Sequence, residues 1–141
     1  MIIADTNVLS EPLRPRPDPQ VLTWLARHAG ELAVTAITIG ELAYGVARLP
    51  PGSRRDRLGD AVDALVATAG PRLIPYDASA SRAYASLRAR REAAGHPLSI
   101  EDGMIAGICL AGGHDLATRS VRDFADAGIR LHDPWAPAQS S

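Results

Sequence analysis

Short apolar runs alternate with longer stretches of helical period along this chain. Residues 1–5 and 32–35 are compact and rich in Ile, Val and Leu, and 72–76, 115–118 and 129–132 repeat that form, so each predicts a buried strand. Between them the spacing is helical. A short helix is expected over 7–13, checked by Pro12 and Pro15, and a second over 19–28 with Val21, Leu22, Trp24 and Leu25 on one side and Gly30 as its stop. Further helices are expected over 37–49, ended by Pro50, Pro51 and Gly52, and over 54–69, with Leu58, Val62, Leu65 and Val66 facing inward. Helices over 78–94, 100–111 and 121–127 complete the pattern, the middle one almost wholly apolar. Strands separated by helices of this length imply a parallel sheet covered on both faces. The expected fold class is α/β, a three-layer α/β/α sandwich around about five parallel strands, with function at the C-terminal edge of the sheet.

Composition narrows this only slightly. With 141 residues and 46% hydrophobic content, residues 1–135 are expected to form one domain with one core. The chain should loosen after Pro134, with 136–141 a frayed tail. A lone cysteine, Cys109, sits in an apolar stretch and reads as core, so no intrachain disulfide is available and a reducing cytoplasm is the expected compartment. No apolar run approaches the length of a membrane span, and the N-terminus lacks the pattern of a signal peptide.

Charge changes the picture more. The net charge is -1 and all 15 basic residues are arginine. Every mechanism that needs a lysine is therefore excluded, Walker-type phosphate binding and Schiff-base chemistry among them. Arg14, Arg16, Arg119 and Arg122 are expected near the sheet rim, where planar guanidinium forks suit phosphates. The sets Arg54, Arg55, Arg57 and Arg88, Arg90, Arg91 read as solvated helix faces pairing with Asp56, Asp60, Asp63 or Glu92. His28, His96, His114 and His132 show no metal-ligand spacing, and none is assigned a catalytic role.

Three acids recur in comparable places. Asp5 ends the first strand, Glu41 lies near the start of the helix after the second, and Asp102 opens the apolar helix before the fourth. Each also has a structural explanation: Asp5 is a good N-cap, and Thr38 with Glu41 and Ser99 with Asp102 have capping-box spacing. Together they open onto the same rim. Two carboxylates about 5 Å apart repel by on the order of 3 kcal/mol at an effective dielectric of 20, and a divalent cation removes that cost. Oxygen-only ligands favour a hard ion, Mg2+ or Mn2+. Such an ion suits hydrolysis of a phosphodiester.

Several short motifs then fall in order along nearly the whole chain: Asp5-Thr6-Asn7, Thr38 with Glu41-Leu42 and Gly45, residues 102–106, Ala117-Thr118-Arg119 with Asp123-Phe124, and Asp133-Pro134-Trp135. In these the chain resembles PIN domains, specifically the VapC-type toxins of bacterial toxin–antitoxin pairs. The resemblance implies a Mg2+-dependent endoribonuclease, with Mn2+ as a substitute, that is silenced by a cognate antitoxin and forms a homodimer or a larger toxin–antitoxin complex. It carries the metal-binding role to Asp5, Glu41 and Asp102, and gives Thr6, Asn7 and Thr118 the task of orienting carboxylates or water. Arg14 and Arg119 are candidate RNA contacts. At the position after Arg119, where such domains commonly carry Asp or Asn, this chain has Ser120, a hydroxyl that binds water but supplies no charge. Asp123, three residues on, is the substitute for the fourth acid; its other reading is an acid favoured by a helix N-terminus.

Rival classes differ at single positions. A haloacid-dehalogenase-like phosphatase needs a second Asp where Asn7 stands, and both that class and receiver domains use a lysine absent here. A PIN-like module that binds RNA or a protein partner with weak or no catalysis is the alternative, because Ser120 thins the acidic set.

Overall fold

A computed structural model describes residues 1–137, within which five strands and six α-helices alternate. The strands are β1 (Ile2–Ala4), β2 (Leu32–Thr35), β3 (Leu73–Ile74), β4 (Asp115–Ala117) and β5 (Leu131–His132). The helices are α1 (Thr6–Ser10), α2 (Pro19–His28), α3 (Ala36–Ala47), α4 (Ser53–Ala69), α5 (Ala78–Ala93) and α6 (Ile100–Gly112). All strand pairings are parallel, in the order β3-β2-β1-β4-β5. The chain builds outward from β1 in one direction through β2 and β3, then crosses to add β4 and β5 on the other side. The crossover point lies between β1 and β4, where Ala4 is in register with Ala117. Crevices in open parallel sheets form at the carboxyl ends of the strands at such a point.

Successive residues of β1 point to opposite faces, as the period of a strand requires. Ile3 packs with Ala80 and Leu87 of α5 and with Ile105, Ala106 and Cys109 of α6. Ile2 and Ala4 turn the other way, joining Val8 of α1, Trp24 and Leu25 of α2, and Trp135. β1 is therefore buried on both sides, the reason its sequence is continuously apolar. Cys109 is buried and its thiol is pushed up to about 12, chiefly by loss of solvation.

Helices α5 and α6 pack most closely of all. A Cβ on Gly107 would stand 2.6 Å from the Ala80 carbonyl oxygen, and one on Gly103 would meet the Tyr84 ring at 2.6 Å. The two glycines, one turn apart, let the backbones approach. α6 ends at Gly113, whose φ of 67° is the left-handed conformation a helix stop uses.

Two expectations fail. Residues 121–127 form successive turns rather than a helix. Asp123, Ala125 and Ala127 donate their backbone N–H groups three residues back, to Ser120, Arg122 and Phe124, while Phe124 and Ala127 insert into the core. Asp126 breaks the run at φ 64°. The chain beyond Pro134 is held rather than loose up to Ala136: Pro134 is fully buried, Trp135 covers the β1 and α1 cluster, and the Ala136 carbonyl accepts a hydrogen bond from the Gln20 amide. The rest of the expected frayed tail, 138–141, lies outside the described residues. No helix among the described residues is long and apolar enough to cross a membrane.

Candidate active site

Asp5 follows directly from the end of β1, and its position is fixed from three sides. Its backbone N–H donates to the Ala117 carbonyl at 2.9 Å, which extends the sheet by one bond. One carboxylate oxygen accepts from the Thr6 N–H at 2.8 Å, and the other accepts from the Thr118 hydroxyl at 2.8 Å. Both readings of Asp5 hold at once: it caps α1, and it stands on the rim at the crossover point. With only 4% of its surface exposed, its carboxyl is raised above the ordinary range, first by burial. The bonds from Thr118 and Thr6 oppose that shift and the charge of Glu41 adds to it.

Thr118 acts in two directions. Its hydroxyl donates to Asp5 and accepts the N–H of Ser120 at 3.0 Å, so the proton of this buried group is committed to the carboxylate. Thr6 does the same for Glu41, donating its hydroxyl to the carboxylate at 2.8 Å. The Thr38 hydroxyl lies 3.1 Å from that of Thr6 and 3.4 Å from that of Thr35. Three threonines thus line up behind Glu41, and Thr35 and Thr38 are fully buried. The expected Thr38 to Glu41 capping box is displaced: Thr35 is the N-cap of α3, accepting from the Thr38 N–H at 3.1 Å. Glu41 therefore sits nearly a turn further in, facing Thr6 across the rim instead of closing its own helix.

Asp102 stands at the N-terminus of α6, where Ser99 caps the helix and accepts the Asp102 N–H at 3.2 Å. It is half-buried. Burial raises its carboxyl most, followed by the charge of Asp5, with smaller contributions from Asp123 and Glu101; the Ser99 bond opposes them. Asp102 and Asp123 line a cleft of about 670 Å³ together with Arg91, Ser99 and Arg122. Asp123 itself is exposed, and Ser120 contributes its backbone carbonyl to the turn that carries Asp123.

The remaining candidates lie along the same rim. Asn7 accepts the Arg119 N–H at 3.3 Å, joining α1 to the chain after β4. The Arg119 guanidinium lies 5.1 Å from the Trp135 ring, within range of cation–π attraction. Arg14 donates to Glu11 at 3.3 Å, while Arg16 is exposed.

Sequence reading passed over Glu11. It is 4% exposed, and its carboxyl is held below the usual range, first by the Asp18 N–H and then by Arg14 and Arg119. The signal was an acid just before Pro12, with an arginine three residues on. Arg91 was read as part of a solvated face; instead its side chain bonds carbonyls of His96, Asp123 and Ala125. Arg88 does pair with Glu92, at 2.8 Å. Among the described residues, no three acidic, imidazole or thiol groups form a preassembled chelate. The donor set still fits a hard cation held by one or two carboxylates and several waters, the usual manner of Mg2+. Two carboxyls raised by burial and by a neighbouring acid's charge, Asp5 by that of Glu41 and Asp102 by that of Asp5, are what such a cation relieves.

The whole arrangement has counterparts among known proteins. The PIN domain family model matches residues 2–129. The VapC ribonuclease Y4jK of Sinorhizobium fredii is 40% identical over 141 residues, covering 98% of this chain and all of that protein. Toxin FitB of Neisseria gonorrhoeae is 33% identical over 96% of this chain and 99% of its own length. Among solved structures, FitAB bound to the IR36 DNA fragment has a TM-score of 0.93 at 31% identity, with both chains fully covered. By its sequence, its sheet order and its rim, the chain belongs to the PIN-domain family, in the branch of the VapC and FitB toxins.

Proposed function

We propose that this toxin is a Mg2+-dependent endoribonuclease, with Mn2+ able to replace Mg2+, and that a cognate antitoxin silences it. The observation that supports the reading is Asp5 at the crossover point of the sheet, both its carboxylate oxygens held by hydrogen bonds, with the charge of Glu41 acting on it and its own charge acting on Asp102. VapC ribonuclease Y4jK and the tRNA(fMet)-specific endonuclease VapC of Shigella flexneri support the reaction class. FitAB and VapBC complexes support the antitoxin as partner. Homodimer formation, assembly into a larger toxin–antitoxin complex and a cytoplasmic location belong to the same proposal.

Asp5, Glu41 and Asp102 would hold the ion, with Asp123 beside them. Bound there, a divalent cation supplies a lowered pKa for water and compensation for the charge that develops on the phosphodiester. The chain's own groups do the rest. Thr118 and the Thr6 N–H fix both oxygens of Asp5, and Thr6, backed by Thr38, fixes Glu41, so the carboxylates meet the ion without reorganising. Arg14 and Arg119 present guanidinium groups to phosphates flanking the cut, and Asn7 holds the backbone at Arg119. Ser120, whose N–H bonds the Thr118 hydroxyl, would offer its own hydroxyl to a water of the site.

The test is cleavage of total cellular RNA by purified protein freed of any partner, with Mg2+ or Mn2+ against EDTA, beside Asp5→Asn and Asp102→Asn. Discrete fragments that require metal, with rates falling about 100-fold or more in each variant, are expected from the several kcal/mol that metal catalysis contributes. Intact RNA from folded wild-type protein in every condition would shift the assignment to a non-catalytic module that binds RNA or a protein.

A further inference from the structure

Arg91 projects from the last turn of α5, outside the acidic set, and is half-buried. Its guanidinium reaches three carbonyls on two separate loops. The Nε group donates to His96 at 2.7 Å, one terminal nitrogen donates to Asp123 at 2.7 Å, and the other donates to Ala125. The first of these lies in the connection to Ser99 and α6. The other two lie in the turn segment that carries Asp123.

This explains why residues 121–127 do not continue as a helix. In a helix the carbonyls of Asp123 and Ala125 would accept N–H groups four residues on. Arg91 takes both. The segment also carries Asp126 at φ 64°, a left-handed conformation that is uncommon outside glycine and persists where surrounding contacts hold it. Phe124 anchors the segment from beneath and Arg91 from the side, leaving Asp123 exposed on the wall of the cleft opposite Asp102.

From this geometry we infer that Arg91 is a positioning residue for the site: it clamps the turn bearing Asp123 to the loop leading into α6, and so sets the separation between Asp123 and Asp102. The inference rests on the metal-site reading given above. A guanidinium suits this role because its planar fork offers five donors in fixed directions, whereas a lysine ammonium presents a point charge on a flexible stem.

The test compares wild type, Arg91→Ala, Arg91→Lys and Arg88→Ala, each as the full chain. Mn2+ affinity by calorimetry, RNA cleavage as kcat and KM, and thermal melting are read for each. Arg91→Ala should lower Mn2+ affinity or kcat about 10- to 100-fold, the range for groups that orient metal-binding side chains, with KM for RNA little changed. Arg91→Lys should recover part of the loss. Arg88→Ala, which removes an exposed pair on the same helix, should behave as wild type. A folded Arg91→Ala with wild-type Mn2+ affinity and kcat overturns the inference. If that variant does not fold, Arg91→Lys decides: wild-type values in a folded Arg91→Lys overturn it equally. Wild type that binds Mn2+ but leaves RNA intact would overturn the ribonuclease reading alone, since the effect of Arg91 is still read in metal affinity.

Discussion

The two halves of the acidic rim are built on different principles. Asp5 and Glu41 are held by threonines from the central strands and the helices that follow them, with Thr35, Thr38 and Thr118 fully buried. Asp102 and Asp123 stand on a helix N-terminus and an irregular turn, one half-buried and the other exposed. The first half is a fixed hydrogen-bonded block. The second is a cleft whose width depends on how α6 and the 120–128 turn are pinned. The contrast separates two roles: a pair held fixed by buried hydroxyls, and a wall whose position can be tuned without disturbing the sheet.

The contrast breaks most sharply at Thr118. Thr118→Val keeps the shape but removes the donor to Asp5 and the acceptor for the Ser120 N–H, so stability should fall by about 3 kcal/mol, the upper range for a hydrogen bond to a charged group. Urea denaturation reads the loss. Thr118→Ser, which retains the hydroxyl, should recover most of it; a Val variant as stable as wild type beside a destabilised Ser variant would show that the methyl contact matters rather than the bond.

Next in size is the fit of α6 against α5. Gly107→Ala drives a methyl into the Ala80 carbonyl and should cost about 2 kcal/mol, typical of overpacking, while shifting the helix that carries Asp102. Cleavage should fall by more than the melting change explains. A variant that melts early yet cuts RNA at the wild-type rate once folded would show that the cleft tolerates movement of its wall.

The smallest effect carries the most diagnostic sign. Asp102 has a raised carboxyl in the folded state, so between its ordinary and raised values the folded protein holds a proton that the unfolded chain has lost. Stability from this group is full at low pH and declines as pH rises through the folded value. Burial and the charges of Asp5, Asp123 and Glu101 outweigh the opposing Ser99 bond. Asp102→Asn, measured in EDTA, should therefore melt above wild type at pH 7 and converge with it toward pH 4. Added Mg2+ should raise the melting temperature of wild type and leave the variant behind; a variant that melts lower at pH 7 in EDTA would reverse the sign of the electrostatic balance.

The same division explains how much the sequence made legible. Strands 2–4, 32–35 and 115–117 could be read because burial forces short apolar runs, Ile2–Ala4, 32–34 and 116–117, and the acids at or beyond their ends followed from position. Residues 121–127 misled because Val121, Phe124 and Ala127 have helical spacing, whereas the backbone carbonyls of Asp123 and Ala125 between them are claimed by an arginine some thirty residues earlier. Arg91 could not be told from Arg88 and Arg90 by composition or spacing. Glu11 was hidden for a related reason: its partners, Arg14 and the Asp18 N–H, come together only after Pro12 and Pro15 bend the chain.

The two outermost strands, β3 and β5, are only two residues long. A free sheet margin of that length offers an incoming polypeptide two or three backbone bonds, each worth a net of about 1 kcal/mol. Fixing each added residue costs about 1–2 kcal/mol of backbone entropy. The balance is unfavourable, so misassembly by strand addition has nowhere to start, and Arg72 and Pro75 around β3, with Arg130 and Asp133-Pro134 around β5, close off the abbreviated margins further.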